Sequence, residues 1–154
     1  MVYHTHLVPF CGKIIGTTVT DKAPIAENWV LNIRSKFNGQ KIIAGLNCKW
    51  KPHPIRSMSS KIATLQLCID TKCLAIQLLY LNYMPKSIKS FLSDSTVIFV
   101  GIEIEETMLK LQNEYGLSCS KKIDVRSLAR VHFPLSFYGE TWFKSSCKRI
   151  GGAA

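Results

Sequence analysis

Between Lys41 and Leu81 the chain reads KIIAGLNCKWKPHPIRSMSSKIATLQLCIDTKCLAIQLLYL, and this stretch decides the fold. β-Branched and other apolar residues dominate Lys41 to Trp50, Lys61 to Ile69 and Cys73 to Leu81, so each reads as a strand. Pro52 and Pro54 interrupt the loop from Lys51 to Ser60, because proline cannot donate to a ladder. Asp70-Thr71-Lys72 is short enough for a hairpin turn. Strands joined in this way predict an antiparallel meander.

Upstream, Lys13 to Thr20 is β-branched and predicts another strand. A helix follows, with Asp21 placed to cap it and Pro24 in its first turn. Ile25, Trp29, Ile33 and Phe37 recur on one face of that helix, and Asn38-Gly39 stops it. Downstream, Pro85 to Leu92 predicts a short helix, and the nearly all-apolar Thr96 to Ile102 predicts a strand covered on both faces. Ile104, Met108, Leu111 and Tyr115 give the next helix its buried stripe, ending at Gly116, and Lys121 to Val125 predicts a last short strand. Together these elements predict an α/β fold, a mixed sheet of five to six strands flanked by helices. From Arg130 the tail is rich in aromatics, and Thr141 to Ile150 suits one more helix.

The 154 residues suit one domain, and 47% apolar residues exclude a disordered chain. Lys plus Arg outnumber Asp plus Glu 20 to 10, a net +10 that favours polyanionic partners such as nucleic acid or an acidic protein face. The amino terminus lacks the charged and apolar regions of a secretory signal, so an intracellular protein of nucleus or cytoplasm is expected. No run reaches the roughly 18 apolar residues of a membrane span, and no membrane association is expected. The six cysteines contain no C-x-x-C pair, and free thiols are expected rather than disulfides or a zinc site. His4 and His6 would share a face in an extended segment, but a flexible terminus is the expectation for them.

Ile43-Ala44-Gly45-Leu46-Asn47-Cys48-Lys49-Trp50-Lys51-Pro52, then Ile62 to Cys68, Phe99-Val100-Gly101-Ile102 with Leu109-Lys110-Leu111, and finally Ile123 to Ala129 stand in a specific order. That order resembles the 3′ to 5′ exonuclease domain of the Werner syndrome type, of the DEDD class, above all its plant relatives. The resemblance implies a ribonuclease-H-like fold over residues 1–154, truncated at the C-terminus, with residues 130–154 an atypical aromatic-rich tail. It also implies an active site at the end of the first long strand, where four acidic residues hold two Mg²⁺ or Mn²⁺ ions. The acids are a D-x-E pair, a middle Asp and an Asp in a final Y-x-x-x-D motif. Residues i and i+2 of a strand point to one face, so the D-x-E pair can share the metals.

This sequence departs from that pattern. Asn47-Cys48-Lys49 stands where the resemblance asks for D-x-E, and Thr107 stands at the middle acidic position. Tyr138 is followed four residues later by Trp142, so no Y-x-x-x-D occurs within the 154 residues. A lysine ammonium repels a divalent cation by about 4 kcal/mol per unit charge at 4 Å and an effective dielectric of 20. No metal, no cofactor and no catalytic residue is therefore expected, with Asn47, Lys49 and Thr107 as the degenerate positions. Glu103, Glu105 and Glu106 could reach inward to one metal, or be a solvated helix start.

Lys49, Trp50, Lys51, Arg56 and Lys61 surround the same strand and form the candidate nucleic-acid-binding set, of low sequence specificity, with Trp50 available to stack on a base. Trp50 could equally be core, pointing opposite to Lys49. An inactive nucleic-acid-binding relative is the leading expectation. The alternatives are a protein-interaction module, docking to a complete relative or to itself through exposed apolar surface, and residual exonuclease activity.

Overall fold

A computed structural model describes residues 3–51 and 61–132. The predicted meander is present: β3 (Ile42–Lys51), β4 (Lys61–Ile69) and β5 (Lys72–Gln77) pair antiparallel in sequence. The turn between β4 and β5 is tighter than expected. Ile69 pairs with Lys72, so only Asp70 and Thr71 lie between the strands, and Asp70 takes a left-handed φ of 54°. β5 ends at Gln77 because Leu78–Tyr80 wind into a single 3₁₀ turn.

Upstream, β2 (Lys13–Thr20) runs parallel to β5. It is followed by α1 (Ala23–Lys36), which buries Ala26, Trp29, Val30 and Ile33. Asp21 does not cap α1; the N-cap position is Lys22, whose backbone N–H donates to the Thr20 hydroxyl at 3.0 Å. Before β2 the terminus that was expected to be flexible forms β1 (Tyr3–Phe10), antiparallel to β2. Its composition gave little sign of this, since every side chain described from Thr5 to Phe10 is exposed and no apolar alternation marks the strand.

Downstream come α2 (Lys86–Ser93), β6 (Val97–Gly101), α3 (Ile104–Tyr115), β7 (Lys121–Asp124) and α4 (Val125–His132). β6 lies parallel to β3, and β7 parallel to β6. The expected strand through Val125 stops one residue short because Asp124 caps a helix: its Oδ1 accepts the Arg126 N–H at 2.9 Å. Among the described residues the sheet therefore has seven strands in the order β1-β2-β5-β4-β3-β6-β7, more than the five to six expected, in the mixed arrangement of a ribonuclease-H-like fold. The expected helix at Thr141 to Ile150 lies outside the described residues.

One core joins α1, α2 and α3 to alternate residues of the sheet, among them Leu46 and Cys48 of β3, Leu65 and Leu67 of β4, and Leu74 and Ile76 of β5. These helices therefore cover one face of the sheet, and the intervening residues point away from them. Phe91 of α2 meets Phe99 of β6 edge-on at 5.7 Å, and both are fully buried. Arg34 of α1 pairs with Asp94 at 2.8 Å and lies over the Phe91 ring, tying α1 to the end of α2. Among the described residues no helix is long and apolar enough to cross a membrane.

Two backbone positions fix the path from β6 into α3. A Cβ on Gly101 would meet the Leu46 carbonyl oxygen at 2.6 Å, so only glycine lets β6 approach β3 there. Glu103 then adopts φ 56°, a left-handed conformation uncommon for residues with a Cβ. Asp124 accepts its N–H at 3.0 Å.

Candidate functional site

The face of the sheet turned away from α1, α2 and α3 carries the positions singled out in the sequence. Register aligns its side chains in rows. Thr17, Cys73, Cys68, Gly45 and Val100 form one row across five strands, and Val19, Ala75, Gln66 and Asn47 form the next. Lys49, opposite Thr64, begins a third. A cavity of about 520 Å³ opens on this face, lined among others by Thr17, Asn47, Gln66, Cys68, Cys73 and Val100.

Asn47 and Lys49 are both exposed, whereas Cys48 between them is buried. Alternation thus places them on one face, as a D-x-E pair would be. Asn47 Nδ2 donates to Gln66 Oε1 at 3.1 Å across β3 and β4. No ion pair engages Lys49 among the described residues, so its charge faces solvent uncompensated.

A divalent pair needs hard anionic oxygens, and two amides beside an ammonium do not fit it. Thr107 is buried in α3 and does not line the cavity. The nearby glutamates are engaged outside it: Glu103 pairs with Arg126 at 3.5 Å and Glu105 with Lys122 at 3.7 Å. Among the described residues no three His, Cys, Asp or Glu side chains gather as a metal site.

The candidate binding residues do not stay together. The ladder between β3 and β4 shifts at Lys49 and Trp50, and Trp50 pairs with the fully buried Ile62. Its ring turns to α3, where the Lys110 ammonium lies 5.4 Å from the centroid. Trp50 therefore points opposite to Lys49, onto the helix side, but at 41% exposure it is not the core residue of the second sequence reading. Lys61 lies 5.7 Å from the Tyr115 ring, also on α3. The end of α3 is fastened there: Glu114 Oε1 accepts the Ile62 N–H at 2.7 Å, and the Tyr115 hydroxyl donates to the Ile62 carbonyl at 2.7 Å. Burial raises the Tyr115 pKa, which keeps that hydroxyl a donor. Lys51 is exposed at the strand end, and Arg56 lies outside the described residues.

The sequence reading missed Gln66 and the cysteine pair. Cys68 and Cys73 are cross-strand partners with Cα atoms 4.1 Å apart and sulfurs bonded, which corrects the expectation of free thiols at these positions. Pairing about a two-residue turn at Asp70 and Thr71 matches 69 with 72, 68 with 73 and 66 with 75, so a tighter turn assignment would have found both. Cys48 and Cys119 are free, and burial pushes each thiol up to about 12.

No family model matches the chain. Among curated proteins, a 3′-5′ exonuclease of Arabidopsis thaliana is 29% identical over 124 residues, covering 78% of this chain and 43% of that protein. The exonuclease 3′-5′ domain-containing protein 2 of Drosophila melanogaster is 28% identical over 65% of this chain and 17% of its own length. The chain thus spans less than half the length of these relatives. Among solved structures, an EXD2 exonuclease domain soaked in Mn and Mg superposes with a TM-score of 0.65 at 24% identity, covering 79% of this chain and 62% of that one. In sequence and in fold the chain is similar to 3′-5′ exonuclease domains.

Proposed function

We propose that this exonuclease-like chain binds single-stranded nucleic acid through the exposed face of its sheet and does not cleave it. The observation that carries the reading is the pair Asn47 and Lys49, side by side where the resemblance asks for two carboxylates. In-line phosphodiester cleavage by this class of enzyme uses a metal pair to stabilise attacking and leaving oxygens, and the donors present cannot hold one. The same exchange of anions for an amide and a cation makes the face more attractive to phosphate. A net charge of +10 adds long-range attraction without sequence preference.

Two measurements on one preparation test this. Calorimetric titration with Mn²⁺ is expected to give no saturable heat. A 3′-end-labelled oligonucleotide is expected to shift in a gel and to remain intact in Mg²⁺ or Mn²⁺. Digestion by the purified protein, abolished by Asn47→Ala, would overturn the reading. A second reading, docking of a protein partner, is favoured by the apolar side chains on the same face, with Ile43 66% exposed. Its mark is salt-insensitive retention of a partner by protein with no oligonucleotide affinity.

A further inference from the structure

We propose that Cys68 and Cys73 form a reversible thiol–disulfide exchange site for low-molecular-weight disulfides of the glutathione class. Three observations carry it. The two residues are directly opposed in the β4–β5 ladder and their sulfurs are bonded across it, so the hairpin itself brings the pair together. Cys68 is exposed and Cys73 partly so, and both line the cavity on the open face, which gives a small disulfide a path to either sulfur. The hairpin that carries them closes through two residues, so the opposition is set locally and survives reduction.

The free cysteines Cys48 and Cys119 provide the contrast. Cys48 of β3 is buried on the helix-covered face, and the Cys119 sulfur packs 3.3 Å from that of Met108. Burial raises both thiols and suppresses their thiolates, so neither competes for an oxidant.

The exchange balances as two displacements. A thiolate at one cysteine attacks the small disulfide, forming a mixed disulfide and releasing one small thiol. The second cysteine, deprotonated, attacks the protein sulfur of that mixed disulfide and releases the second thiol. Two protein thiols and one disulfide thus become one protein disulfide and two small thiols, and excess small thiol drives the reverse.

The site stands independently of nucleic-acid binding, and its test reads neither binding nor cleavage. Protein reduced with dithiothreitol, then exposed to oxidised glutathione, alkylated and digested with trypsin, is expected to yield peptides 62–72 and 73–86 linked. Alkylation at Cys68 and Cys73 is lost and returns on re-reduction, while Cys48 and Cys119 are untouched by glutathione. In Cys73→Ser the second displacement cannot occur, and Cys68 is expected to retain a glutathione adduct. Equal alkylation of Cys68 and Cys73 in the wild-type protein before and after oxidised glutathione would overturn the proposal.

Discussion

Reversing the charge at Lys49 is the most direct probe of the open face. The side chain is exposed, has no acidic partner among the described residues, and stands two residues from Asn47 on the same face of β3. A phosphate held by this ammonium contributes about 1 kcal/mol at 4 Å in a water-like dielectric. Lys49→Ala should then weaken single-strand binding about fivefold, and Lys49→Glu, which turns attraction into repulsion, about 30-fold. Losing one phosphate contact also makes the plot of log K against log salt shallower by about 0.7, or about 2.6-fold less loss of affinity over a fourfold rise in salt. Fluorescence anisotropy with a labelled oligonucleotide between about 50 and 200 mM salt reads both quantities. Lys89→Glu is the control, an exposed position on α2, which packs on the opposite face. If both reversals weaken binding equally, affinity belongs to overall charge, and the assignment of this face is wrong.

Phe99→Ala removes a fully buried ring and its edge-on contact with Phe91, and should cost about 3–5 kcal/mol in urea unfolding; a loss below about 1 kcal/mol would contradict the packing. The Asp124 carboxyl is held below its usual range by hydrogen bonds from the Arg126 side chain, and Asp94 by the Thr96 backbone and hydroxyl. Both stabilise the fold fully above the unfolded carboxyl pKa of about 3.9, and that stability is lost as pH falls through the lower folded values. Urea midpoints measured downward from pH 5 should therefore fall more steeply in the wild-type protein than in Asp94→Asn with Asp124→Asn. Glu103→Gly relieves a left-handed residue that costs about 1–2 kcal/mol, against an entropic cost of about 0.5–1 kcal/mol for glycine, so the urea midpoint should rise slightly.

What could be read in the sequence followed burial. The strands β3 to β6 and helices α1 and α3 carry alternating or every-fourth apolar residues because one face of each enters the core, and their positions were legible to within a few residues. β1 buries none of its described residues from Thr5 to Phe10, so its pairing left no apolar signature. α4 was hidden for another reason: its start depends on the Asp124 carboxylate capping Arg126, a local hydrogen bond that competes with the extended reading of Lys121 to Val125. At the site, alternation sufficed to put Asn47 and Lys49 on one face. It could not foresee the shift in the ladder beyond Lys49, which sends Trp50 to Lys110 and α3 and removes the aromatic platform from the open face.

The strand order sets a hierarchy of cohesion across the sheet. β1 hangs from β2 alone, with its described side chains in water, whereas β4 is hydrogen-bonded on both edges and buries Ile62, Leu65 and Leu67 completely. Backbone amides in β1 are consequently the first to open to solvent, and those of β4 are shielded until the whole molecule unravels. The strand that keeps Gln66 against Asn47 is thus held on both edges at the centre of the sheet, and thermal fraying at the periphery leaves the open face with its shape intact.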